Sequence, residues 1–235
     1  MKIKKYVLCF FIGCLSISFS GQVQSIKNGI TWRDTNGDRI KAHGVSIMKH
    51  NGVYYMLGND MTDAYSFKGV NLYSSTDLMN WQFRNTIIDK NTNSDLSSGL
   101  RITERPCLIY NALTNKFVVW IKYQNGAYNN NKAAVFYSDT IDGKYTYDRE
   151  FFPAGYDSND ASIFIDTDGQ AYYTSTNKAN GSINVYTLTD NYRGAKDGTI
   201  LFAGQGLEAP VIFKKDNLYF MLTSYKTGWD PNQMR

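Results

Sequence analysis

Ile47-Met48-Lys49-His50-Asn51-Gly52-Val53-Tyr54-Tyr55 sets one strand-like run against an aromatic one across an Asn-Gly pair, the strongest short-range sign of a β-hairpin. The same order of apolar run, polar turn and aromatic strand returns three more times. Leu108-Ile109-Tyr110-Asn111 leads to Phe117-Val118-Val119-Trp120, and Ile163-Phe164-Ile165-Asp166-Thr167-Asp168-Gly169 leads to Tyr172-Tyr173. Val211-Ile212-Phe213-Lys214-Lys215-Asp216-Asn217 leads to Tyr219-Phe220. In the first three units a further strand follows, at Leu72-Tyr73-Ser74-Ser75, Val135-Phe136-Tyr137-Ser138 and Val185-Tyr186-Thr187-Leu188. Units of three or four short antiparallel strands, repeated about every fifty residues, are the pattern of β-propeller blades. No stretch sustains a helical period, so the class is all-β. The fourth unit meets Arg235 before its third strand. A propeller closes to cover its edge strands, so the sequence predicts a C-terminally truncated, incomplete propeller domain over residues 21–235, with about three and a half blades present.

The 235 residues are 43% hydrophobic, enough for a sizeable core, and 15% aromatic. Tyr outnumbers Phe by 18 to 13, so most rings carry a hydroxyl that can face water or a sugar. The net charge of +4 comes from 25 basic and 21 acidic residues spread along the chain, without the basic stripe that nucleic acid requires. Residues 1–20 read as a signal peptide: Lys2, Lys4 and Lys5 precede an apolar stretch from Tyr6 to Phe19, with Ser18 and Ser20 before Gly21. That stretch is too short and Ser-rich for a membrane span, so the protein is expected to be exported, to the periplasm, the outer surface or the medium. Phe11-Ile12-Gly13-Cys14 resembles a lipoprotein processing box without its usual leucine, which makes anchoring through Cys14 the alternative. Cleavage after Ser20 leaves only Cys107. Set in Cys107-Leu108-Ile109-Tyr110, it cannot form an internal disulfide and reads as a small buried hydrophobe.

Immediately ahead of each unit's first apolar run stands a residue able to do chemistry: His43, Glu104, Asp160 and Glu208. The innermost strands of a propeller line its central channel, so these positions should converge on one mouth of it, bringing three carboxylates together. Strand ends near turns favour polar residues in any case, but recurrence argues against that plain reading. Glu104-Arg105-Pro106 and Glu208-Ala209-Pro210 use two of only four prolines, and proline fixes the backbone just after each glutamate. Converging carboxylates raise one another's proton affinity, as an acid that donates near neutral pH requires.

Taken together, Lys41-Ala42-His43-Gly44, Val70-Asn71-Leu72-Tyr73-Ser74-Ser75-Thr76-Asp77-Leu78 with Trp81, the two Glu-x-Pro segments and Thr227-Gly228-Trp229-Asp230-Pro231-Asn232 resemble glycoside hydrolase family 43. Within it they are most similar to the exo-β-1,3-galactanase branch. The resemblance implies a five-bladed β-propeller and an inverting O-glycosyl hydrolase acting on plant or microbial polysaccharide, with galactan-type linkages first and arabinan or xylan side chains second. It implies Glu208 as general acid, Asp160 as the carboxylate that tunes and orients it, and Glu104 as a pocket carboxylate that contacts sugar. Inversion also needs a second group about 6.5–9.5 Å away to activate water. Most of the family carries an aspartate base on the first blade, where this chain has His43-Gly44-Val45-Ser46. The galactanase-like branch lacks that aspartate too and uses a glutamine from a later blade. Where the branch has Tyr-Gly-Glu, this chain has Leu57-Gly58-Asn59-Asp60. A glycan-binding propeller without catalysis, or an inactive fragment of the enzyme, is the alternative.

His43, Trp229, Asp60 and Arg105 are the candidate sugar contacts. His43 fits a sugar hydrogen-bond donor and a structural histidine equally well. Trp229 lies in a turn polar on both sides, which suits stacking on a pyranose face better than core packing. Trp32, Trp81 and Trp120 read as structural. Asp34-Thr35-Asn36-Gly37-Asp38 imitates half a calcium loop without the downstream bidentate glutamate, and Asp166-Thr167-Asp168-Gly169 reads as a hairpin turn. No cofactor or metal is therefore required; structural calcium is possible but not indicated. The expected partner is a polysaccharide or oligosaccharide, bound by a monomer, with no nucleic acid and no protein partner; a WD-type signature is missing.

Overall fold

The computed structural model describes residues 25–63, 67–97, 101–125, 131–228, 230 and 232–234. The expected signal peptide, with Cys14, lies outside the described residues. Three four-stranded antiparallel sheets and one two-stranded sheet follow one another along the chain, each a simple meander. Blade one holds β1 (His43–His50), β2 (Val53–Asn59), β3 (Val70–Ser75) and β4 (Gln82–Ile88). Blade two holds β5 (Arg101–Asn111), β6 (Lys116–Asn125), β7 (Asn131–Ser138) and β8 (Thr146–Phe151). Blade three holds β9 (Ala161–Ile165), β10 (Ala171–Asn177), β11 (Ser182–Leu188) and β12 (Ala195–Leu201); the fourth sheet pairs β13 (Leu207–Lys215) with β14 (Leu218–Tyr225). Ser94–Ser97 is one short helical turn. The chain is all-β, with the sheets at the repeats read from the sequence.

Local chemistry explains the hairpins. Asn51 and Gly52 both take positive φ (48° and 81°), as do Asp216 and Asn217 (50° and 63°), the pair of left-handed residues that a type I′ turn needs to match strand twist. The β5–β6 connection is held instead by Asn111, whose Oδ1 accepts both the backbone N–H and the hydroxyl of Thr114 at 2.8 Å.

The two larger apolar clusters lie between sheets. Alternate residues of β6 face opposite ways, and both faces are covered. Val119 and Ile121 join Leu57, Leu72 and Ile87 of blade one. Val118 and Trp120 join Tyr173, Tyr186 and Leu188 of blade three. That double burial is why the strand reads as a continuous apolar run. Trp120 keeps its indole N–H satisfied on the Tyr192 carbonyl at 2.7 Å. Trp81 is buried in a smaller cluster with Met56 and Tyr73, against which Trp32 packs. Cys107 is buried too, and desolvation pushes its thiol up to about 12, so it is an inert core residue. Asp34 Oδ1 accepts the N–H groups of Asn36 and Asp38, a tight turn as expected.

Asp166 does more than close a hairpin. It accepts Lys214 Nζ at 2.7 Å and the Tyr219 hydroxyl at 2.5 Å, tying blade three to the fourth sheet. Those two hydrogen bonds, with Lys214 itself, hold its carboxyl well below the usual carboxylate range. By contrast Val211, Phe213 and Leu222 of the fourth sheet, and Val45 and Ile47 of β1, remain substantially exposed.

Candidate active site

Three of the four inner strands share one backbone device. The register with the neighbouring strand slips between His43 and Ser46 in β1, between Glu104 and Cys107 in β5, and between Glu208 and Val211 in β13. Each slip starts at a residue with left-handed φ: Gly44 (63°), Arg105 (54°) and Ala209 (52°). A bulge of this kind takes a side chain out of the ladder and re-aims it, which is why bulges gather beside active sites. Glycine accepts the conformation without penalty. Arg105 and Ala209 do not, and each also precedes a proline, a position that ordinarily prefers extended backbone. Pro106 and Pro210 lack the N–H that a continuous ladder would need there, so the bulge is where they fit.

Blade three delivers its residue differently. Asp160 sits just ahead of β9, where its carbonyl accepts the Thr176 N–H at 2.9 Å while Asn159 N–H donates to the Thr176 carbonyl at 2.9 Å. Two residues there face one across the pair, and the chain bends into β9 without a left-handed residue.

These corners meet. A Cβ on Gly44 would lie 3.0 Å from the backbone nitrogen of Arg105, so blade one abuts the corner of blade two. Arg105 Nη2 reaches Asp160 Oδ2 at 3.5 Å, joining blades two and three. Asp160 in turn acts on Glu208. Burial raises the Glu208 pKa and the Asp160 charge raises it further, against the smaller opposing pulls of Lys226, Arg105 and Lys122. The structure thus links Arg105, Asp160 and Glu208, ties Glu104 to them through Lys122, and sets the backbone beside His43 against the Arg105 corner.

The carboxylates are not equivalent. Glu104 Oε2 accepts Lys122 Nζ at 2.5 Å, with side chains only 18% and 9% exposed. Asp160, 13% exposed, has Arg105. Among the described residues no cation forms an ion pair with Glu208, leaving it as the carboxyl best able to hold a proton.

Asp60 is engaged elsewhere: its Oδ1 accepts the N–H and hydroxyl of Thr62 at 3.0 and 2.7 Å, and Lys41 Nζ stands 3.8 Å from Oδ2. It builds the turn after β2. Trp229 lies outside the described residues. Two residues escaped the sequence reading. Asn59, the register partner of His43, donates across the junction of blades one and two to the Thr103 hydroxyl at 2.6 Å and to the Thr103 carbonyl. Lys122 was hidden in an apolar strand, although a lone charge after Val118-Val119-Trp120-Ile121 is the signal that marks it. Among the described residues no cluster of three or more His, Cys, Asp or Glu is arranged to hold a metal.

Residues 38–234 match the family model described as "Glycosyl hydrolases family 43". Among solved structures, an exo-β-1,3-galactanase from Clostridium thermocellum, 1,3Gal43A, is 40% identical with a TM-score of 0.85, over 89% of this chain and 48% of that one. The β-1,3-galactosidase BT3683, with galactodeoxynojirimycin, is 33% identical with a TM-score of 0.79, over 89% of this chain and 76% of its own. An exo-β-1,3-galactanase from Phanerochaete chrysosporium, with galactose, is 33% identical with a TM-score of 0.82, over 88% of this chain and 49% of its own. The chain spans about half the length of the first and third of these. Among curated proteins no sequence matches.

Proposed function

The chain belongs to glycosyl hydrolases family 43, and from that premise we propose that its site serves an inverting hydrolysis of β-1,3-linked galactosides. The observation that carries the reading is the inequality of the carboxylates: Glu104 and Asp160 each have a cation, and Glu208 has burial and a neighbouring negative charge instead. Glu208 is accordingly the general acid, giving its proton to the oxygen of the departing sugar. Asp160, fixed by Arg105, keeps that proton in place until it is needed. Glu104 accepts a hydroxyl of the bound sugar, and His43 faces it from blade one. An acid of this kind works only while protonated, so activity is lost as pH rises through the raised pKa of Glu208. The substrate is a polysaccharide or oligosaccharide outside the cell, consistent with the export signal expected in residues 1–20.

One observation favours a second reading, glycan binding without turnover. The corner of blade one presents His43 where a carboxylate could serve as base. Incubation with β-1,3-galactobiose, followed by proton NMR, separates the two. Inverting hydrolysis yields α-galactose as the first-formed anomer; β-galactose first would rule out inversion, and binding without release of galactose would favour the second reading.

A further inference from the structure

Resting on the hydrolase reading of this site, we propose that Lys122 is a positioning residue that sets how tightly the site holds its sugar: its ammonium fixes one oxygen of Glu104 and so presents the other to a galactose hydroxyl. Lys122 and Glu104 are register partners on β6 and β5, and Nζ stands 2.5 Å from Oε2. The lysine follows four apolar residues on the middle strand of blade two and is almost completely buried. A lysine there is a poor choice for stability alone, because an ammonium loses its hydration on burial and an apolar pair of similar volume packs at least as well. Its placement makes sense as a device acting on Glu104. Among the described residues only Lys122 donates to Glu104, and it occupies Oε2. A carboxylate can accept several hydrogen bonds, so Oε1 remains for a ligand. A glutamate held before the sugar arrives does not have to be ordered on binding, which is the advantage of preorganisation.

Lys122 has a second effect through charge. Glu208 is faced by Asp160 ahead of β9, Arg105 of β5, Lys122 of β6 and Lys226 after β14. Taking away Lys122 removes one of three cations opposing the upward shift on Glu208, and leaves Glu104 without its counter-ion. Both changes favour the protonated form of Glu208, so the alkaline limb of the pH profile moves upward.

The test compares wild type, Lys122→Met, Glu104→Gln and the double variant on β-1,3-galactobiose, with galactose affinity measured by calorimetry. Lys122→Met is expected to raise KM and the galactose Kd about tenfold with kcat within about twofold, the mark of lost uniform binding. The alkaline limb of kcat/KM should move to higher pH. In the Glu104→Gln background the same substitution should add less than about twofold, because the two residues act as one unit. Lys122→Arg keeps the charge and a donor, and is expected to recover most of the affinity. Equal effects with and without Glu104 would mean a structural role and overturn the proposal, as would a fall in kcat at unchanged KM. Wild type that binds galactose yet releases none from the disaccharide would sink the hydrolase reading alone, leaving the Kd values to judge Lys122. Wild type that neither binds nor cleaves would overturn both.

Discussion

Glu104 and Glu208 stand on the same corner, a glutamate followed by a left-handed residue, a proline and a slipped register, and yet they end with opposite electrostatics. Blade two supplies Glu104 with a buried lysine from the adjacent strand; the strand beside Glu208 places Ser224 at the equivalent register position. The residue on the second strand thus gives one glutamate a cation and the other a neutral neighbour, while burial and Asp160 set the raised pKa of Glu208. The repeat builds similar brackets, and the residues around each, across the strand and from the next blade, set how they differ.

The largest expected effect breaks this comparison at the glutamates themselves. Glu208→Gln keeps the size and hydrogen-bonding reach of the acid but has no proton to give, so kcat on β-1,3-galactobiose should fall by about 10³-fold with KM little changed. On a nitrophenyl β-galactoside, whose leaving group departs with little protonation, the loss should be far smaller. Glu104→Gln should instead raise KM on both substrates alike. Steady-state kinetics of the two variants on the two substrates decides the matter. A leaving-group-dependent loss confined to Glu104→Gln would exchange the roles.

How much of this was legible in the sequence depended on the kind of interaction. The four sheets follow from turn residues and aromatic strands close together in the chain, and the heads of the units follow from their recurrence. The Glu-x-Pro segments were visible as a pair because proline is scarce, but their third member, His43-Gly44, has no proline and shows its kinship only through the shared register slip. Lys122 and Asn59 act across strand pairs and sheet junctions, whose register local patterns leave open. Asp166 looked complete as a turn, since its own hairpin satisfied the motif. Its bonds to Lys214 and Tyr219 arise only when the fourth sheet docks on blade three.

A smaller effect tests whether the three corners are one device. Gly44→Ala places a side chain at φ 63° and a Cβ 3.0 Å from the Arg105 backbone nitrogen. The left-handed conformation disfavours an L-residue by about 1–2 kcal/mol, and the close approach adds to it, so a total loss near 2 kcal/mol is expected in urea denaturation. Because Arg105 holds Asp160, activity should fall as well. A loss below about 0.5 kcal/mol would show that blade one does not brace the corner of blade two.

The smallest effect is expected at Ala209, and it isolates the strain common to the two glutamate corners. Ala209 holds φ at 52° ahead of Pro210, against both the usual preference of a non-glycine residue and the extended bias of a residue before proline. Arg105 carries the same strain, but replacing it also removes the guanidinium from Asp160, so its substitution mixes two effects. Ala209→Gly removes a methyl group and leaves the charged residues of the site untouched. Relief of the left-handed conformation contributes about 1–2 kcal/mol in favour of the folded state, while the greater freedom of glycine in the unfolded chain costs about 0.4–1 kcal/mol. The net should be a gain of about 0.5 kcal/mol, seen as a small rise in the denaturation midpoint. If the strained corner is what aims Glu208, a looser backbone should also lower kcat by about two- to threefold at unchanged KM. A stability loss of about 1 kcal/mol would mean that the corner is relaxed as built, and unchanged kcat would mean that packing against Asp160 rather than the bulge orients the acid.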